Sequence, residues 1–206
     1  MRPIRIIGVA VVLALSAAGT AAATTTPLSL SARLIESSEF PGFVSVSGQS
    51  TTLDKTSQQW ESGSGDTAAQ SATDIARLRK EGFVAVVIRQ LGTPIQEPWS
   101  GLSWVMQLGA PKDALSELAA DVQKEKSTTK SPDTYQSFRV SGIPNARGYR
   151  LSGSSGTGYN VVFADGAFLY LLGFGWSGNP KKPPTQAQLI AAATKQYKRV
   201  HGHPAT

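Results

Sequence analysis

Two histidines, fourteen carboxylates and four tryptophans are the side chains through which this sequence could do chemistry. Both histidines, His201 and His203, fall in the last six residues, beside Gly202 and Pro204. A Ser-His-Asp triad needs a histidine held on a rigid scaffold, and chain ends are commonly mobile, so these two read as exposed tail residues. The spacing His-Gly-His does not define a metal site by itself. There is no cysteine, which excludes a thiolate nucleophile, a Cys-ligated zinc and a disulfide framework. Gly63-Ser64-Gly65 and the run Gly153–Gly158 lack the Lys-Ser/Thr ending of a phosphate loop. No cofactor and no metal is expected.

Carboxylates could act without histidine, as paired acids do in glycoside hydrolysis. Most of the fourteen sit next to Lys or Arg on helical stretches: Asp74 with Arg77, Glu81 with Lys80, and Glu117 and Asp121 with Lys124. Those read as solvated helix faces. Glu36, Glu39 and Glu97 are the least explained that way. A carboxylate hydrolase would need two of Glu36, Glu39, Glu97, Asp133 and Asp165 about 5–10 Å apart across a cleft. The tryptophans divide differently. Trp104 lies on the apolar face of a strand and reads as core. Trp60 and Trp99 fall in polar loops, and Trp176 ends a strand beside Ser177-Gly178. Large aromatics are costly to leave in water and often line pockets. The alternative is that these three cap the open ends of the core.

The elements that must position these groups follow from periodicity. Ser29–Ile35 alternates weakly, as a first strand would, and Gly48–Asp66 is polar and reads as a long loop. Thr67 and Gln70 fit a capping box that opens a helix ending near Gly82. Phe83–Leu91 is apolar on both alternating faces, so it predicts a strand covered on both sides. Leu102–Leu108 alternates and predicts a half-exposed strand. Pro111 suits the first helical position, and Ala114, Leu115, Leu118, Ala119 and Val122 form an apolar stripe behind it. Short strands are expected over Tyr135–Val140 and Tyr149–Ser152. Asp165-Gly166 is a two-residue hairpin signal, placing Phe163 opposite Phe168. One face of the strand after it reads Phe168, Tyr170, Leu172, Phe174 and Trp176. The other ends in Gly173 and Gly175, room for a helix to lie close. Thr185 and Gln188 fit a second capping box, before a basic helix that ends near His201. The order β-α-β-β-α-β-β-β-α predicts an α+β fold: one domain, a mixed or antiparallel sheet with helices packed on it.

The N-terminus is an address. Arg2 and Arg5, the apolar run Ile6–Leu15 and the small residues ending Ala21-Ala22-Ala23 are the three parts of a secretory signal peptide. The apolar run is shorter than the roughly 20 residues that span a bilayer; an uncleaved anchor is the alternative. Residues 1–23 are thus assigned to the signal peptide, 24–33 to a linker, 34–202 to the domain and 203–206 to a flexible tail. No later segment is long and apolar enough to span a membrane. A body of about 180 residues can bury enough apolar surface to fold without disulfides. The formal net charge is +6. Loose basic clusters around Lys124–Lys130 and Lys181–Arg199 would attract polyanions, but they carry no specific nucleic-acid signature.

Four segments carry a family likeness: Glu81–Ala85, the turn Gly142–Gly148 (GIPNARG), Asn160–Gly166 (NVVFADG) and Tyr197–Gly202 (YKRVHG). On these the chain resembles a family of uncharacterised secreted proteins of actinobacteria, from about Leu34 to Gly202. The resemblance implies a secreted α+β domain and no assigned activity. The layout is also similar to mycobacterial extracellular sensor-type domains, which are thought to bind ligands in a groove and generally carry the Cys pairs this chain lacks. The expectation is a secreted, monomeric binding module for an unknown small molecule or protein. Its site is expected between the aromatic face bearing Tyr170, Phe174 and Trp176 and the loops bearing Trp60 and Trp99. A cofactor-free carboxylate hydrolase and a charge-held envelope protein are the alternatives.

Overall fold

Val86 and Val87 are neighbours in one strand, and both are buried. Successive strand side chains point to opposite faces, so the sheet that holds them must be covered on both sides. The computed structural model describes residues 26–51, 68–93, 99–129, 131–154, 156–178, 180 and 182–204. A 3-10 turn, Ser31–Arg33, is followed by β1 (Val44–Thr51), α1 (Ala68–Lys80), β2 (Ala85–Gly92), β3 (Trp99–Gln107), α2 (Pro111–Thr128), β4 (Thr134–Phe138), β5 (Arg147–Gly153), β6 (Gly156–Asp165), β7 (Phe168–Trp176) and α3 (Gln186–Val200). The strands form one seven-stranded sheet in the order β1-β2-β3-β7-β6-β5-β4. Every pairing is antiparallel. This is a single α+β domain.

Two apolar layers seal the sheet. On one face, Leu189, Ala192 and Ala193 of α3 and Leu34, Ile35, Phe40 and Phe43 of the N-terminal segment pack on Val105, Val161, Phe163, Tyr170, Leu172 and Phe174. On the other, Leu78 of α1 and Ala114 and Leu118 of α2 pack on Val86, Met106, Val162, Leu169 and Leu171. The N-terminal segment explains two departures from the sequence pattern. Ser29–Ile35 is not a strand: it makes the 3-10 turn and sends Leu34 and Ile35 into the core. For the same reason β3 is not half-exposed. Its second face, Ser103 and Val105, is fully buried, and the Ser103 hydroxyl accepts a hydrogen bond from the Ile35 amide. The segment expected as loop from Gly48 on is strand as far as Thr51; residues 52–67, with Thr67 and its capping box, lie outside the described residues.

Local signals elsewhere hold. Pro111 is the first residue of α2. The Thr185 side chain accepts from the Gln188 amide, and the Gln188 side chain accepts from the Thr185 amide. Thr185→Ala should therefore cost about 1 kcal/mol, read as a lower urea midpoint at unchanged slope. The β6–β7 hairpin differs in register. Asp165 pairs with Phe168, and Phe163 with Tyr170, so the turn residues are Gly166 and Ala167 rather than Asp165 and Gly166. Gly166 takes φ 58° while Ala167 has no positive φ, the glycine-first arrangement of a primed turn. The shift is even, so each residue keeps its expected face.

At the far edge, Gly148 of β5 sits opposite Phe138 of β4. A Cβ on Gly148 would fall 2.1 Å from the Phe138 ring: the aromatic covers the strand because the glycine has no side chain. Gly148→Ala should expel the ring and cost roughly 1–3 kcal/mol, measurable in the same unfolding experiment.

Candidate functional site

Among the described residues, the face of the sheet under α2 is left open toward its end. Cross-strand register places Ser100, Gly175, Gly158, Leu151 and Tyr135 in one row and Gln90, Leu102, Gly173, Asn160 and Tyr149 in the next. α2 packs above Val162, Ala164, Leu169 and Leu171; beyond them the middle of the sheet carries glycine. Two cavities open there, of about 490 and 590 Å³, and both are lined by Ser100, Gly158 and Gly175. They adjoin at Ser100, Gly158 and Gly175 and are together called the trough. Each cavity lies within the size range of small-molecule sites.

Glycine makes the floor. A Cβ on Gly158 would meet nothing closer than the Phe174 carbonyl oxygen at 3.3 Å and the Gly175 Cα at 3.8 Å. A Cβ on Gly173 would fall 2.2 Å from the Asn160 Oδ1, so the Asn160 amide lies across the space that glycine leaves free. One wall is Gln90 and Leu102. The opposite one is Leu151, next to Tyr135, whose ring stacks on the buried Tyr149 at 5.5 Å. Burial and the charges of Asp121 and Glu125 raise the Tyr149 hydroxyl above its usual range, and Tyr135 shifts the same way. Thr129, just past α2, also lines the trough.

The chain folds like the extracellular domain of a mycobacterial protein. That solved structure, the extracellular domain of PknH from Mycobacterium tuberculosis, superposes with a TM-score of 0.54 at 12% identity, covering 85% of this chain and 99% of that one. At such identity the likeness establishes the fold. It agrees with the sensor-type layout read from the sequence. No family model and no curated protein matches the chain. Among the described residues no helix is long and apolar enough to cross a membrane.

The sequence-predicted residues scatter around this geometry. Tyr170 is fully buried, and its hydroxyl accepts from Arg33 Nη1 at 3.0 Å. Phe174 is 3% exposed beneath Phe40 and Phe43. The aromatic face of β7 is therefore filled by α3 and the N-terminal segment, and the open space lies on the glycine face. Trp176 reaches the rim of the 490 Å³ cavity, but its ring lies on the aromatic face, against Phe174 at 5.9 Å and Tyr159 at 5.8 Å. Trp99 begins β3 and pairs with Trp176 through the backbone. Trp60 lies outside the described residues, as does Glu97. Residues that sequence reading did not single out as a site, Ser100, Gln90, Gly158 and Asn160, carry the trough. The signal was Gly173 and Gly175 on the face of β7 that reads as room for a helix.

The described candidate carboxylates do not meet across a cleft. Asp133 lines the trough, whereas Asp165 lies by a separate cavity of about 390 Å³ with His201 and His203. Glu39 is buried, and its carboxylate accepts from Arg199 Nε at 2.7 Å, with Glu36 3.8 Å from the same nitrogen. Both histidines have polar neighbours. His201 Nδ1 lies 2.8 Å from Asp165, and His203 Nδ1 lies 2.7 Å from the Thr26 carbonyl oxygen. The described lining of that cavity contains no hydroxyl or thiol. Two further carboxylates, Asp74 and Glu117, join α1 to α2. Arg77 donates to both oxygens of Glu117 and to Asp74, and Lys124 donates to Asp74. Burial pushes Glu117 up to about 7 despite Arg77, and Asp121 up to about 7.

Proposed function

We propose that this chain is an exported binding module that takes up its ligand in the glycine-floored trough. The trough is the observation that carries the reading. Three glycines from adjoining strands clear one patch of an otherwise sealed sheet, and polar side chains border it. A surface whose two apolar layers are complete has no packing reason to leave that patch bare. Export is supported by the leader pattern of residues 1–23 and by a fold shared with a domain described as extracellular. With no cysteine to staple it, the domain relies on its two apolar layers, which suits a rigid receptor with a preformed site.

The test compares the purified chain with Gly158→Leu, which fills the floor. Mass spectrometry of small molecules released on denaturation should find a species retained by the parent chain and lost from the variant, while both keep the same circular dichroism and melting behaviour. Retention of the same molecules by both proteins would sink the reading.

A further inference from the structure

An open sheet has two edges, and each presents a row of unpaired backbone groups to any strand that can reach it. The two edges here are β1 and β4, and they differ. β1 carries a bulge between Ser45 and Ser47, one of the devices that twist an edge away from a neighbour. β4 has none: its pairing with β5 runs without a break from Thr134–Ser152 to Phe138–Gly148. Thr134–Phe138 contains no charge and no proline, the other common safeguards. Among the described residues β4 pairs with β5 alone, and no other backbone hydrogen bond engages it.

The side chains leave this edge open. The two large ones lean back over β5: the Phe138 ring occupies the space above Gly148, and Tyr135 stacks on Tyr149. Thr134, Gln136 and Ser137 are exposed. The Thr134 hydroxyl is already committed to the Ser152 carbonyl oxygen, so what the edge offers is main chain. Opposite charges bracket the strand, Asp133 before it and Arg139 after it, and both are exposed. Asp133 Oδ1 accepts from the Ser154 amide at 3.3 Å; its Oδ2 has no hydrogen bond among the described residues.

This pattern is self-complementary. When a second β4 is laid antiparallel about Gln136, Thr134 falls opposite Phe138, Tyr135 opposite Ser137, and Asp133 opposite Arg139 at both ends. Each residue meets one an even number of positions away, so outward-facing backbone groups meet outward-facing ones. A slip of one residue would set them against inward-facing groups. A slip of two would carry both charge pairs out of register.

We propose that the chain forms a twofold dimer through β4, which joins two seven-stranded sheets into one. The interface is isologous. It closes at two copies because the edges that remain are the bulged β1 strands. Five residues a side bury less than the roughly 1,200 Å² of a stable complex, and an exposed ion pair contributes only about 0–1 kcal/mol. The dimer is therefore weak, with a Kd on the order of 0.1–1 mM, and the flanking charges set its register more than its strength. It neither needs nor blocks the glycine floor.

The experiment combines sedimentation equilibrium with amide NMR of the purified chain from about 20 μM to about 2 mM, which brackets that Kd. The amides of Thr134–Phe138 should shift with concentration and fit one dimer constant, while those of β1 and of Gly158, Gly173 and Gly175 stay put. Gln136→Lys sets two ammonium groups opposite each other on the twofold axis. It should weaken self-association at least about tenfold at unchanged circular dichroism. Asp133→Lys and Arg139→Glu each place like charges at both ends and should weaken association separately. Mixed in equal amounts they should restore it, because both flanking pairs of a mixed dimer are again attractive. A chain that stays monomeric throughout this range overturns the proposal. So does association that Gln136→Lys leaves intact, a set of shifts that falls outside β4, or a mixture that associates no better than its components.

Discussion

Replacing Arg33 with alanine is expected to remove roughly 3–5 kcal/mol of stability, a large share of what a domain of this size possesses. Arg33 is fully buried. Its guanidinium lies 3.7 Å from the centre of the Phe168 ring. It donates to the Tyr170 hydroxyl and to the carbonyl oxygens of His203 and Pro204. No carboxylate accepts from it among the described hydrogen bonds, so its charge is met by dipoles and by the face of an aromatic ring. Truncation would strand the buried Tyr170 hydroxyl, at a cost of about 1–3 kcal/mol, release the part-buried carbonyls of His203 and Pro204, and leave a void beneath Phe168. Burial already drives the Tyr170 hydroxyl up to about 12, against the lowering effect of Arg33. Arg33→Lys should recover part of the loss, because an ammonium can reach some of these acceptors but cannot lie flat on the ring. Urea unfolding measures both variants. A loss for the alanine variant below about 1 kcal/mol would show that the tail carbonyls find water instead.

The second large effect is a gain. The Asp121 Oδ2 is buried without a hydrogen-bond partner. Burial first, then the Glu125 charge, pushes Asp121 from its ordinary 3.8 up to about 7, with Lys124 and Arg77 opposing. A carboxyl raised on folding stabilises the fold while both states are protonated, below about pH 4. That contribution is lost as pH rises through 7. Glu117, raised from 4.5 to about 7 mainly by burial, acts in the same sense. Stability should therefore fall between about pH 4 and 7, by an amount of order 4 kcal/mol at most for Asp121. Asp121→Asn keeps the shape and removes the charge. It should raise stability at pH 8 by about 1–3 kcal/mol and flatten that slope. A variant less stable than the parent at pH 8, or one with an unchanged slope, would mean that the ionised carboxylate is welcome there.

These sites also show what a sequence can disclose. The capping box at Thr185 and the proline at 111 act through residues three or four apart, so their pattern is complete in the sequence. The faces of β6 and β7 were legible because alternation survives an even slip in register, while the pairing itself was not. Arg33 was hidden. A basic residue in a weakly alternating stretch gives no sign that Tyr170 and the last residues of the chain will close over it. The trough was half visible. Gly173 and Gly175 stand out on β7, but whether bare strand is covered depends on where α2 stops, and α2 is placed by Leu118 and Ala114 meeting residues far along the chain. The aromatic face of β7 was ambiguous for the converse reason: aromatic bulk signals a need for shelter and does not say which side of a sheet supplies it.

β7 is the last strand of the chain and the middle one of the sheet, paired with β3 on one side and β6 on the other. Until residue 176 is available, β1–β3 and β4–β6 are two separate three-stranded meanders, each with a bare edge where the keystone belongs. The two meanders share no strand pairing, and the sheet closes only by a late insertion between partners far apart along the polymer. Such a chain would stay pliable while it is being made and lock only near completion, a useful property in a molecule exported as proposed above.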